Sequence, residues 1–479
     1  MGALSNARWV ALSQVTKIGG QVAGLVVLAR LVAPTEYGIM AMATVVTNFA
    51  AIFRDLGTSA AIIQRPQLAD EEKTAAFWLN ITLGIAVGCI IALASPLISL
   101  AFHEPKLINV LLALCFAFPL ASAGAAQQAL MERESRFQAV ARIEITSTIV
   151  GLLVAIGLAV SGAGVYSLVA QTIVTAMLST TQLWAGSRWR PGRLNSVSKE
   201  ALKPIVSFGS NLAGFNTINY FSRNADGMII GHYMSAAILG AYSLAYRIML
   251  FPLQSMTFVA SRSLYPILSR RQGDTESIRN TYLRLISVVA TLVAPMMAGM
   301  VVVRQDFVSA FIGEQWGLTA ELLAWLAPTG FVQAIVSTTG LIFMSTGNVR
   351  SLLKISIFNS LTQVAAFAIG AQFGIKQLAA LYLIANLINF WPNMAITMRI
   401  LGGGITCVLK RIAAPIVCAL LMAAIVATMR DLQAIIDLPL LARLGAQVAA
   451  GTVIYAIALR SISPNSFKMV TSLARRDPK

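Results

Sequence analysis

The chain is predicted to be an all-α integral membrane protein with about 14 transmembrane helices. Three observations predict this. Apolar stretches fill almost all of its 479 residues, basic residues gather in every second connection between them, and no connection is long enough for a separate domain. Hydrophobic residues make up 57% and charged residues 11%, giving a mean hydropathy of +0.74. A hydrocarbon core about 30 Å thick takes roughly 20 residues at about 1.5 Å rise each. Backbone polar groups that meet no water must pair within their own segment, so the spans are helices.

In chain order the spans are expected near 7–31, 37–63, 74–101, 107–131, 143–161, 164–186, 204–230, 236–262, 284–303, 320–346, 353–371, 376–399, 411–430 and 439–460. The first is too long for the apolar core of a secretory leader and has no convincing small-residue cleavage site. It is read as a retained first helix. Cys89, Cys115 and Cys418 fall in spans and Cys407 near the end of one, without metal-like spacing, and are expected to pack in the core.

A formal net charge of +17 would suggest nucleic acid in a soluble protein, but here its placement points to a membrane. Of the 36 basic residues, 25 lie in alternate connections counted from the N-terminus, including Arg133, Arg136 and Arg142 and the run from Arg188 to Lys203. The opposite connections hold six: Arg30, Lys106, Arg304, Lys376, Arg430 and Arg443. This asymmetry predicts that both termini are cytoplasmic, where anionic lipid attracts the richer side.

The other five basic residues, Lys17, Arg54, Arg223, Arg247 and Arg262, lie within spans or at the end of one. Ionisable groups at mid-span cost about 2.5–3.5 kcal/mol on insertion scales, so they require partners, water or a ligand. Asn216, Asn219, Arg223 and Asp226 form a polar stripe on one face of span seven. Two readings stand for it: an interhelical ion pair of Arg223 with Asp226, or a wet face that meets a charged substrate. Lys17, with Gln14 and Gln21 on its face, and Arg247 lie near mid-bilayer and are expected to line a cavity. Arg54 and Asp55 are adjacent on span two and point about 100° apart, so at most one is expected to face a cavity centre. Arg262 is read as snorkelling to the surface. Without Arg262 the deep set holds four cations against two carboxylates, Asp55 and Asp226. That interior attracts anions, and arginine suits phosphate through bidentate hydrogen bonds.

Tyr37-Gly38-Ile39-Met40-Ala41-Met42-Ala43 and Leu239-Gly240-Ala241-Tyr242-Ser243-Leu244-Ala245 open spans two and eight. The offset of 202 residues also aligns Gln14, Lys17, Gln21 and Gly24 with Asn216, Asn219, Arg223 and Asp226. Together these imply an internal duplication with parallel halves, and transporters built this way place substrate between the halves near the midplane. Asn386, Asn389 and Asn393 on span twelve, with Asn359 and Gln363 on span eleven, fit interhelical hydrogen bonding or a substrate route equally well. Gly20-x-x-x-Gly24 and Gly84-x-x-x-Gly88 are read as close helix packing. Pro252, Pro295, Pro328 and Pro392 sit within spans, as kinks or as parts of a gate.

Nothing in the sequence resembles an active site. The only histidines are His103 and His232, and no Asp-x-Asp, His-Glu-x-x-His or phosphate-binding glycine loop appears. No enzyme activity, cofactor or metal is expected, and energy for transport would come from an ion gradient, a substrate gradient or removal of product.

Several ordered motifs carry a family likeness: Asp55-Leu56-Gly57 with Ile62-Ile63-Gln64-Arg65, Trp78-Leu79-Asn80, Ala129-Leu130-Met131 with Phe137, and Arg190-Pro191-Gly192. The second half adds Ile218-Asn219-Tyr220 with Asn224, Ala245-Tyr246, Tyr265-Pro266, and Phe311-Ile312-Gly313-Glu314-Gln315-Trp316. With these, the chain resembles the Wzx-type polysaccharide flippases, in the colanic-acid-exporter-like branch of the multidrug/oligosaccharidyl-lipid/polysaccharide exporter superfamily. The likeness runs from about residue 5 to 320. It implies two pseudo-symmetric six-helix lobes (1–203 and 204–403) with two extra helices and a tail (404–479). It implies flipping of an undecaprenyl-diphosphate-linked oligosaccharide across the bacterial inner membrane for exopolysaccharide biosynthesis, by alternating access through a cationic central cavity. The expected partners are that lipid-linked oligosaccharide, membrane lipid, and a polysaccharide polymerase with other assembly proteins, but no nucleic acid. Lys17, Arg54, Asn219, Arg223 and Arg247 are the candidate substrate-binding residues; Asp55 and Asp226 are candidates for ion coupling or charge balance. The competing functions are an ion-coupled multidrug exporter, a membrane polymerase or ligase, and a non-transporting scaffold.

Overall fold

The computed structural model describes residues 19–20, 23–64, 69–194, 199–251, 274–430, 432 and 437–475. Among these, all regular structure is helical, and ten helices are long and apolar enough to cross a membrane. The chain is a multi-span membrane protein. It divides by packing into two compact units, Met1–Gly240 and Ala241–Lys479, whereas the expected lobes divide it by sequence repeat.

The first unit contains α1 (Pro34–Asp55), α2 (Thr58–Gln64), α3 (Asp70–Phe102), α4 (Lys106–Cys115), α5 (Ala117–Arg133), α6 (Phe137–Val160), α7 (Val165–Gly186) and α8 (Lys199–Tyr233). Span two, expected as one helix over 37–63, is two pieces. The chain turns through left-handed backbone at Leu56 (φ 39°) and Gly57 (φ 67°), conformations that glycine adopts without steric cost. The Asp55 carboxylate then supports the start of α2, accepting from Thr58 Oγ1 and Ser59 Oγ, both at 2.9 Å. It also accepts from the Ser59 backbone N–H at 3.4 Å, a donor that the helix break leaves bare, which accounts for an acid before Leu-Gly.

Helix packing in lipid depends on close backbone approach rather than on apolar burial. A Cβ on Gly84 would lie 2.2 Å from Ser122 Oγ, and one on Gly88 would lie 3.1 Å from the Cys115 carbonyl oxygen, so the expected packing role holds there. The tightest approach is at Gly38, where a Cβ would fall 1.6 Å from the carbonyl oxygen of Ala236. A Cβ on Gly240, 202 residues on, would likewise lie 2.2 Å from the Pro34 carbonyl oxygen. Gly38→Val is therefore expected to destabilise the fold by about 3 kcal/mol or more. Thermal unfolding in detergent should show a clear drop, and an unchanged midpoint would refute this crossing. Glu36 ties three helix ends together: its carboxylate accepts from Lys106 Nζ (3.0 Å) and from the Val165 backbone N–H that begins α7 (3.0 Å).

The chain continues with α9 (Ala236–Phe251). The second unit adds α10 (Thr275–Phe307), α11 (Gly317–Val336), α12 (Thr339–Ser345), α13 (Val349–Gly370), α14 (Ile375–Ile400), α15 (Ile405–Arg430), α16 (Leu440–Ile462) and α17 (Pro464–Arg475). The Asp274 side chain caps α10 by accepting from the Ser277 N–H at 2.9 Å. Ile286, Val293, Ile335, Met394 and Val408 form one buried core, and Cys418, Met422, Val426 and Tyr455 form another. Helices α10, α11 and α14 run on through Pro295, Pro328 and Pro392, while Pro252 lies outside the described residues. Cys418 is buried as expected, but Cys89 is exposed on α3.

The asparagine stripe on α14 is an interhelical network. Asn393 Nδ2 donates to Asn359 Oδ1 (2.9 Å), Thr362 Oγ1 to Asn389 Oδ1 (2.7 Å), and Gln333 Nε2 to Asn386 Oδ1 (3.2 Å). Of the two readings left open for this stripe, the structural one accounts for its contacts.

Candidate functional site

Arg54 and Asp55 close α1, and both line a cavity of about 220 Å³ inside the first unit. It lies among α1, α2, α5 and α7. Small side chains on one face of α5, Ala121, Gly124, Ala125 and Ala129, leave the room. Gln128 and Glu132 continue that face at helical spacing, and Ser179 and Thr180 project from α7. Gln128 Nε2 donates to Glu132 Oε1 at 2.9 Å, and Thr180 Oγ1 donates to the Leu120 carbonyl at 2.7 Å.

The electrostatics are mixed. Arg54 is half-buried in the last turn of α1, where the negative end of the helix dipole favours a cation. Among the described residues its guanidinium makes no hydrogen bond or close ion pair, an unusual state for five fixed donors. Asp55 is partly engaged in supporting α2. Both members of the adjacent pair line the same cavity, although they stand about 100° apart on the last turn of α1.

The other candidates are distributed differently. Asp226 is buried, at 9% exposure, and its Oδ1 accepts from the Gly227 N–H at 2.8 Å. Asn216 is half-buried, and Arg247 is exposed on α9. Lys17 and the side chains of Asn219 and Arg223 lie outside the described residues, as does Arg262. The neighbouring aromatics of α8 dock on α1: Tyr220 hydroxyl donates to the Val45 carbonyl, and Phe49 packs against Phe221 with ring centroids 5.1 Å apart. No group of three or more metal-ligating side chains converges among the described residues.

Sequence reasoning missed Gln128, Glu132 and Ser179. The signal was present in α5, where Ala121, Gly124, Ala125, Gln128 and Glu132 share helical spacing. The expected span ended at 131, however, which placed Glu132 in a connection.

Residues 27–321 match the family model described as polysaccharide biosynthesis protein. The chain is 28% identical over 389 residues to the lipopolysaccharide biosynthesis protein WzxC of Escherichia coli (strain K12), covering 81% of this chain and 79% of that protein. It is 25% identical over 479 residues to the succinoglycan biosynthesis transport protein ExoT of Rhizobium meliloti (strain 1021), covering 99% and 96%. Its fold is similar to that of the lipid II flippase MurJ in an inward closed conformation, with a TM-score of 0.75 at 13% identity over 99% of this chain and 100% of that one. The family match spans more than half of the sequence, and the chain belongs to the polysaccharide biosynthesis protein family.

Proposed function

We propose that this chain flips an undecaprenyl-diphosphate-linked oligosaccharide across the bacterial inner membrane for exopolysaccharide biosynthesis, by alternating access through a cationic central cavity. The observation that carries this reading is similarity over almost the whole chain to a protein named for succinoglycan transport. A fold similar to that of a lipid II flippase supports it, as does the excess of cations over carboxylates within the spans. The chain acts as a transporter, not an enzyme. The basic connections favour both termini in the cytoplasm, the side on which the lipid-linked unit is assembled. A polymerase and other assembly proteins would receive the product on the far side.

Lys17, Arg54, Asn219, Arg223 and Arg247 are proposed to attract the diphosphate or acidic sugars, with Asp55 and Asp226 balancing charge or carrying a coupling ion. Arg223→Ala is expected to abolish polymer export while the protein stays in the membrane at normal abundance. Arg223→Lys separates bidentate geometry from charge alone. Unchanged export in the alanine variant would remove Arg223 from the site. Resistance to cationic drugs that depends on Asp226 but not on the basic residues would instead mark a multidrug exporter.

A further inference from the structure

We propose that the cavity at the end of α1 is a subsite for one sugar ring of the transported head group, selected by Glu132 and Gln128. This rests on the flippase reading and refines it at one residue: Arg54 meets a hydroxyl-rich ring here, and the diphosphate is left to the other cations. Three observations carry it.

The first is the unmatched guanidinium. Arg54 lines the cavity with no hydrogen-bond acceptor among the described residues, so an occupant with acceptor oxygens would match it. The second is the pair of carboxylates on the same wall, Asp55 and Glu132. A phosphate would meet Arg54 but also two like charges in a partly desolvated space, where repulsion is strengthened. A sugar hydroxyl donates and accepts at once. It can answer a donor-only guanidinium and acceptor-only carboxylates together. The Gln128–Glu132 hydrogen bond occupies only Glu132 Oε1, and among the described residues Glu132 Oε2 and Gln128 Oε1 have no other partner. The third is size. A volume of about 220 Å³ gives room for a sugar ring.

The test measures binding of two lipids, undecaprenyl diphosphate and undecaprenyl diphosphate carrying one glucose, to the full-length protein in lipid nanodiscs. A phosphate site would hold the bare lipid at least as tightly, since its terminal phosphate carries more charge. A sugar subsite is expected to give at least a tenfold preference for the glycosylated lipid, and Glu132→Gln should bring the two affinities within about threefold of each other. Should Glu132→Gln fail to fold, Ser179→Ala, on the facing helix, is expected to reduce the same ratio. Equal binding of the two lipids by the wild type would overturn the sugar subsite and leave the flippase reading intact. Equal weakening of both lipids in Glu132→Gln would do the same. Failure of the wild type to bind either lipid would overturn both readings.

Discussion

Asp306→Ala is expected to destabilise the second unit by about 3–5 kcal/mol. Asp306 is 5% exposed near the end of α10. It pairs with Arg443 of α16 at 2.5 Å and accepts from Gln447 Nε2 at 3.0 Å. The penalty comes less from the lost attraction than from the guanidinium left buried without its counter-charge. Among the described residues Arg443 Nε already has no partner, so this side chain has few alternatives. Replacing both residues together, as Asp306→Leu with Arg443→Met, is expected to recover most of the loss, because a buried pair is often replaceable by apolar side chains of similar volume. Unfolding of the purified protein in detergent measures both variants. An Asp306→Ala protein as stable as wild type would show that this ion pair does not hold α16 in place.

Arg54→Ala is expected to lower transport by about 10- to 100-fold while leaving the fold unchanged. The magnitude comes from hydrogen bonds to a charged group worth about 1.5–3 kcal/mol, at about 1.4 kcal/mol per tenfold. Unlike Asp306, Arg54 has no hydrogen-bond partner to abandon among the described residues. Its removal relieves a desolvated charge instead of orphaning one. Arg54→Lys should restore only part of the activity, because an ammonium cannot reproduce the planar fork. Export of labelled polymer from cells, with unfolding measured on the same variants, separates the two effects. A large loss of stability in Arg54→Ala would make this side chain structural.

Much of the architecture was legible because a bilayer imposes one length and one periodicity on every crossing segment. What composition could not show is where a span breaks. Span two reads as continuous apolar sequence, yet left-handed Leu56 and Gly57 divide it, and the reason for Asp55 emerges only once the break is known. Pairings across sequence were equally hidden. Asp306 and Arg443 are 137 residues apart, and nothing in either local pattern names the other. The stripe of Asn386, Asn389 and Asn393 was visible, as was its partner Asn359, but Thr362 and Gln333, which also bond to it, were not. In the candidate site the charges on span two stood out because lipid makes them costly. Gln128 and Glu132 did not, because polar residues at a helix end look like an ordinary solvated boundary.

Transfer of a lipid-linked sugar between leaflets is tested most directly by reconstitution. The purified protein is placed in liposomes with a labelled undecaprenyl-diphosphate-linked oligosaccharide on one leaflet, and exposure of the label on the other is measured over time. Protein-dependent transfer is expected, slowed about 10- to 100-fold in Arg54→Ala and lost in Arg223→Ala. Transfer no faster than in protein-free liposomes, from protein shown to be folded and under an imposed ion gradient of either sign, would contradict the flippase reading.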